Sequence, residues 1–256
     1  MNSRQPVLFL GHGDPMNALY DNAFTRALKT LGGSLPAKPS AVLLISAHWL
    51  TRGNFVSAAA RPETIYDFGG FPDELYQVKY PAPGSPELAA KIADNIPSVS
   101  IDKTRGIDHG GWTVLKHLFP AADIPVVSMS IDFGKAPIHY VELGRQLRFL
   151  RDENVLVIGS GNIVHNIGMY FRKRDELPFD WAVEFDAYIA SALKSGDMAA
   201  LTDYERAGEC ASLSHPTNDH LLPLFYSAGA RHENEDALFI HEEIIRSMSM
   251  RCVRFG

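Results

Sequence analysis

The chain has 256 residues, 46% of them hydrophobic, and a formal charge of -6 at neutral pH, enough apolar content for one large core and so for a single domain over residues 1–256. Its Lys and Arg residues are scattered, with no basic stripe, which excludes nucleic acid and anionic membrane as partner classes and leaves a small molecule. Two cysteines, Cys210 and Cys252, make no disulfide framework; the apolar run before Gly11 is too short for a signal peptide, and no stretch approaches a membrane span. A cytoplasmic protein is the expectation.

In chain order, Pro6–Leu10 reads as a first strand, and 17–31 as a helix ended by Gly32-Gly33. Ala41–Ser46 and Phe55–Ala60 read as strands, separated by an aromatic, Gly- and Pro-rich segment over 64–80 from a helix capped by Ser85 and running to about Asn95. Then follow a strand at 99–101, a helix at 112–118, a strand at 126–130, a helix at 138–151, and a strand at 155–159 ending in Ser160-Gly161-Asn162. Helices over 180–194 and 220–229 and a strand over 247–255 complete the pattern. Strands alternating with helices predict an α/β fold: one layered, mostly parallel sheet flanked by helices, with some antiparallel strands near the C-terminus.

Five of the ten histidines occupy places where such a fold puts chemistry. His12, His48 and His165 follow apolar strand-like runs, and strand C-terminal ends open into one crevice. His109 sits in a turn before Gly110-Gly111, and His220 opens a helix whose apolar face (Leu221, Leu224, Phe225) can fix the ring. Converging neutral imidazoles suit a metal with an acid/base partner. His117, His139, His232 and His241 read as structural or surface residues, and His215, before a proline, as a supporting or solvent-facing group. Both glycine pairs depart from a dinucleotide fingerprint, at Met16 and Val164, and no nucleophile elbow, H-E-x-x-H helix or P-loop is present. The residues by themselves leave zinc hydrolysis and iron-dependent oxygen chemistry equally open.

The ordered set LFLGHGDPMN, LISAHW, IYDFGGFP, YPAPGSPELA, DHGGW, SGNIVHN and HPTNDHLLPLFY resembles the class III extradiol dioxygenases, the LigB-like superfamily, and within it the 4,5-DOPA extradiol branch. The resemblance runs over nearly the whole chain. It implies an oxidoreductase that cleaves a catechol ring with dioxygen, DOPA or a similar substituted catechol being the substrate. It implies a metal held by His12, His48 and His220, with Fe(II) expected and Zn(II) possible. His165 is implied as the acid/base histidine and as a fourth ligand when zinc is bound, and His109 as a further catalytic histidine near the substrate hydroxyls. The third imidazole stands where non-haem iron sites usually carry a carboxylate. A zinc hydrolase and a binding module without activity are the rival readings. The aromatics Tyr66, Phe68, Phe71 and Tyr76 serve equally as core or pocket wall, no substrate-binding cation is singled out, and monomer and homodimer are both open.

Overall fold

The computed structural model describes residues 4–172 and 175–256. In chain order it runs β1 (Val7–Gly11), α1 (Ala23–Gly33), β2 (Ala41–Thr51), β3 (Asn54–Ser57), α2 (Pro86–Asn95), β4 (Val99–Asp102), α3 (His109–Leu118), β5 (Val126–Asp132), α4 (Pro137–Leu147), α5 (Phe149–Asp152) and β6 (Val155–Gly161). It continues with α6 (Ile167–Arg172), α7 (Asp180–Ser195), α8 (Met198–Thr202), α9 (Glu209–Ser214), α10 (Leu222–Ala230), β7 (Ala237–His241), β8 (Ile244–Ile245), β9 (Met248–Ser249) and β10 (Cys252–Phe255).

One sheet of eight strands has the order β4-β3-β5-β2-β6-β1-β10-β7. Its centre, β5-β2-β6-β1, is parallel, and these strands are almost wholly apolar because both of their faces are covered. Successive residues serve opposite faces: Val7 and Phe9 pack with helices α2, α4, α7 and α10, while Leu8 and Leu10 pack with α1 and α3. Each such side chain contributes about 1.5–3 kcal/mol relative to exposure. A one-residue slip would exchange the two sets, so the register is firmly set. The antiparallel pairing expected near the C-terminus is there, with β10 between β1 and β7. A further antiparallel bridge, Val56 to Met129, joins β3 to β5.

The elements differ from expectation where side chains override local pattern. The first helix begins at Ala23 because Asn22 and Thr25 form a reciprocal cap, and Pro15–Ala18 make a separate 3-10 turn. The helix ends at Gly32-Gly33 as expected, these being its last two residues; a Cβ on Gly32 would sit 2.2 Å from the Leu118 carbonyl, so that glycine also permits contact with α3. The expected helix over 138–151 is divided into α4 and α5, and the expected last strand over 247–255 breaks between β9 and β10, where Met250 N–H donates to Glu243 O. Helix α3 starts at His109, three residues early, because Asp108 accepts from the Gly111 N–H and caps it.

Candidate metal centre

Two strands and the loop before α10 deliver the three histidines. His12 follows β1 and is tied to β6 by its N–H to the Gly161 carbonyl at 3.1 Å. His48 lies inside β2, in a bulge: pairing with β5 jumps from Ile45–Met129 to Leu50–Ile131, and pairing with β6 ends at Ser46–Ser160. The bulge re-aims His48 over the crevice, so it does not simply follow a strand end as its sequence suggests. His220 precedes α10 by two residues instead of opening it, and its carbonyl accepts from Asn162 N–H at 2.9 Å, at the exit of β6. The ring centroids of these three lie 5.0 Å (His12–His48), 5.2 Å (His12–His220) and 4.9 Å (His48–His220) apart. Gly110 makes the convergence possible, since a Cβ there would stand 2.9 Å from His48 Cδ2 and 3.2 Å from His12 Cε1.

Hydrogen bonds set the direction of each ring. The Ser160 hydroxyl donates its one proton to Gly110 O at 2.5 Å, so it accepts from His12 Nδ1, 3.0 Å away. His220 Nδ1 donates to Asp219 at 2.5 Å, and His48 Nδ1 lies 3.3 Å from Asp67 Oδ2. His12 and His220 are thereby protonated on Nδ1 and turn a bare Nε2 lone pair inward, the arrangement that outer partners impose on metal-binding imidazoles, and the Asp67 carboxylate facing His48 Nδ1 favours the same tautomer there. His12 Nε2 and His48 Nε2 are 3.1 Å apart. Two nitrogens each about 2.0–2.1 Å from one cation, at bond angles between octahedral and tetrahedral, would be about 2.8–3.4 Å apart. The donors fit a metal on geometry and on tautomer.

Burial reinforces this. It pushes His12 and His220 well below the usual imidazole range, helped by neighbouring histidines, and it lowers His48 to about 4 and His165 to about 3. The rings are neutral at pH 7 and hold their lone pairs for a metal without first losing a proton.

His109, the first residue of α3, adjoins His48 with ring centroids 4.0 Å apart. Asp67 holds it twice, accepting from its backbone N–H at 3.0 Å and its Nδ1 at 2.8 Å. Burial would raise the Asp67 carboxyl, but the hydrogen bond and the adjacent rings of His109 and His48 outweigh it and bring it to about 2. His165 lies flat on His220, centroids 3.4 Å apart and planes 8° apart. The atoms that converge within 4.8 Å are those of His12, His48 and His220; His165 is beside that group and not in it. In a second such group, His48, Asp67 and His109, the last two are already joined by hydrogen bonds and His48 lies 3.3 Å from Asp67.

These five histidines line one pocket of about 280 Å³, and none of the other five histidines does. His215 is buried, not solvent-facing: its Nε2 bonds the Ile163 carbonyl and so supports the chain between β6 and His165. The aromatic segment serves both of its expected purposes, Phe68 and Phe71 lining the pocket while Tyr66 and Tyr76 stack behind Phe68. Sequence reasoning missed Asp67, Asp219 and Ser160. Asp219, next to His220, had a local signal, whereas Asp67 is 42 residues from His109 and had none.

No helix among the described residues is long and apolar enough to cross a membrane. Residues 7–250 match the family model of the catalytic LigB subunit of aromatic ring-opening dioxygenase. The chain is 44% identical to a 4,5-DOPA dioxygenase extradiol of Escherichia coli K12, over 100% of this chain and 96% of the relative. It is 40% identical to the 4,5-DOPA dioxygenase extradiol of Beta vulgaris, over 92% and 90%. Among solved structures, a crystal structure of an uncharacterized Escherichia coli K12 protein superposes with a TM-score of 0.86 at 41% identity, covering 99% of this chain and 100% of that one.

Proposed function

This chain belongs to the family of catalytic LigB subunits of aromatic ring-opening dioxygenases, and on that premise we propose that it cleaves a catechol of the DOPA type by extradiol, 4,5-type addition of dioxygen, giving a ring-opened semialdehyde. The observation that carries the reading is the convergence of His12, His48 and His220, whose ligand atoms lie within 4.8 Å of one another while their Nδ1 sides face Ser160, Asp67 and Asp219. His12, His48 and His220 hold the metal, which we take to be Fe(II). Bound there, iron would supply Lewis acidity toward the catechol and a redox path for dioxygen. No carboxylate is in the converging group, but Asp67 and Asp219 lie one imidazole away and lend charge through the rings they hold.

The chain's own residues manage protons and position. His109, with Nδ1 held by Asp67, keeps Nε2 as an acceptor and takes a hydroxyl proton from the catechol. His165, neutral and stacked beside a ligand ring, exchanges a proton with the reacting oxygen from the other side. Phe68 and Phe71 hold the aromatic ring and exclude water. The pocket lies just under the range of about 300–1,000 Å³ usual for drug-sized ligands, which suits a single substituted ring. A single catalytic domain over residues 1–256 and a cytoplasmic location belong to the same reading, the latter supported by two buried free thiols.

The test is oxygen uptake with L-DOPA on protein reconstituted anaerobically with Fe(II), beside a zinc-loaded control. One oxygen consumed per catechol and a yellow product with iron alone are expected. Hydrolytic activity that persists with zinc and needs no oxygen would overturn the reading.

A further inference from the structure

The floor of the pocket is neutral histidine, but its wall carries one charge. Asp14, two residues after His12, lines the cavity with Tyr170 and Phe171 of α6, and no Lys or Arg lines it among the described residues. Only one Asp14 oxygen is engaged, accepting from Met16 N–H at 2.8 Å. The other oxygen has no hydrogen bond and the carboxylate no ion pair among the described residues, so its charge is free to act on what enters the pocket. Its field reaches the Tyr170 hydroxyl, which burial first, and then that charge, keep protonated. A carboxylate among aromatic rings is the chemistry that recognises an alkylammonium, by ion pairing and by attraction to ring faces.

We propose that Asp14, with Tyr170 and Phe171, is the specificity site for the substituent on the ring, and that it selects catechols bearing an amine over catechols bearing a carboxylate. The inference rests on the ring-cleavage reading for its substrate ring and adds the charge of the side chain. An amine substituent reaching Asp14 meets a carboxylate in a half-buried place where water screens it weakly. A carboxylate substituent meets like charge and, among the described lining residues, no cation. The α-ammonium of DOPA is thus recognised while its carboxylate is merely tolerated, so dopamine is the better substrate.

Steady-state kcat/KM is compared for dopamine, 4-methylcatechol and 3-(3,4-dihydroxyphenyl)propionate, in the iron-loaded enzyme and in Asp14→Asn. Dopamine is expected to exceed the propionate by about tenfold or more, and Asp14→Asn to shrink the dopamine to 4-methylcatechol ratio by about tenfold, in line with a charge-assisted hydrogen bond. Ratios that are the same in both proteins would overturn the proposal. If no catechol is cleaved, the ring-cleavage reading fails. The amine site is then judged alone by fluorescence titration with tyramine against 4-ethylphenol: tighter tyramine binding that Asp14→Asn abolishes supports it, and equal affinities refute it.

Discussion

The two ends of the central sheet both bury polar side chains, and they treat them in opposite ways. At the N-terminal ends of β1 and β6, Arg151 is fully buried, and every direction of its guanidinium is satisfied. Its Nε donates to Gln5 O at 2.8 Å, and its terminal nitrogens to Ala230 O at 2.9 Å and to both Glu235 oxygens at 2.7 Å. At the C-terminal ends of the same strands, the rings of His12 and His220 are as deeply buried, their Nδ1 atoms held by Ser160 and Asp219, while His12 Nε2 faces another imidazole nitrogen, His48 Nε2, at 3.1 Å. Buried polar groups without partners are costly. The first network is closed around a guanidinium and holds the fold, whereas the second gathers imidazole nitrogens at one point.

Substitutions at the two ends therefore fail differently. The largest effect on activity is expected for His12→Ala or His48→Ala, which lose both metal and turnover, by about three orders of magnitude or more, while folding is retained. His165→Ala, outside the converging group, keeps its metal and loses about 10²–10⁴ in turnover as an acid/base group would. Metal analysis beside oxygen uptake separates the two, and full metal in His12→Ala would remove that residue from the ligand set. At the other end, Arg151→Met takes its bidentate partner from the partly buried Glu235, leaving it the His232 N–H alone, and destabilises by about 3 kcal/mol. Urea denaturation reads that loss, and the molecules still folded should bind metal at the wild-type ratio. Reduced metal stoichiometry per folded molecule would mean that the ends are not independent.

Asp67→Asn is expected to be milder. It keeps the shape but weakens the hold on His48 and His109, costing about 10–100-fold in metal affinity or kcat/KM. A wild-type metal affinity together with a wild-type pH profile would reduce Asp67 to a packing residue.

The smallest and most discriminating contrast is in acid. The unfolded chain protonates its histidines near 6.5, whereas the folded, metal-free protein keeps His48 neutral to about 4 and His165 to about 3. Stability from these groups is full above pH 6.5 and falls as pH drops through that window, because the unfolded state there binds more protons. Glu235 behaves in a different window. Burial raises it, but its bonds from Arg151 and from the His232 N–H prevail and hold it below its ordinary 4.5, so its contribution is lost only under that pH. The melting temperature of metal-free protein should decline between pH 6.5 and 4.5, with the Arg151 end still intact. A flat profile there would contradict the burial of neutral imidazoles.

The same contrast explains what could be read from the residues. The parallel strands were legible because burial on both faces makes them continuous apolar runs, and the histidines that follow such runs were legible with them. The bulge that aims His48 was not, since it arises from pairing with β5 and β6 beyond the apolar run. The short elements α6, α8, α9, β7 and β8 carried too little periodicity to stand out, their form being set by tertiary contacts. Asp67 lay in a segment conspicuous for its aromatics, and only the fold brings it to His109. The converging histidines were legible in the sequence; of the contacts that hold their rings, Asp219 to His220 is local, whereas Ser160 to His12 and Asp67 to His48 join residues apart along the chain.

The central claim is that three imidazoles, each turned inward by its own outer partner, share one metal. X-ray absorption on the metal-loaded protein addresses it most directly. The account predicts three imidazole nitrogens at about 2.0–2.1 Å with zinc bound, falling to two in His220→Ala. Two or fewer imidazoles in the wild type, or a spectrum that His220→Ala leaves unchanged, would contradict it.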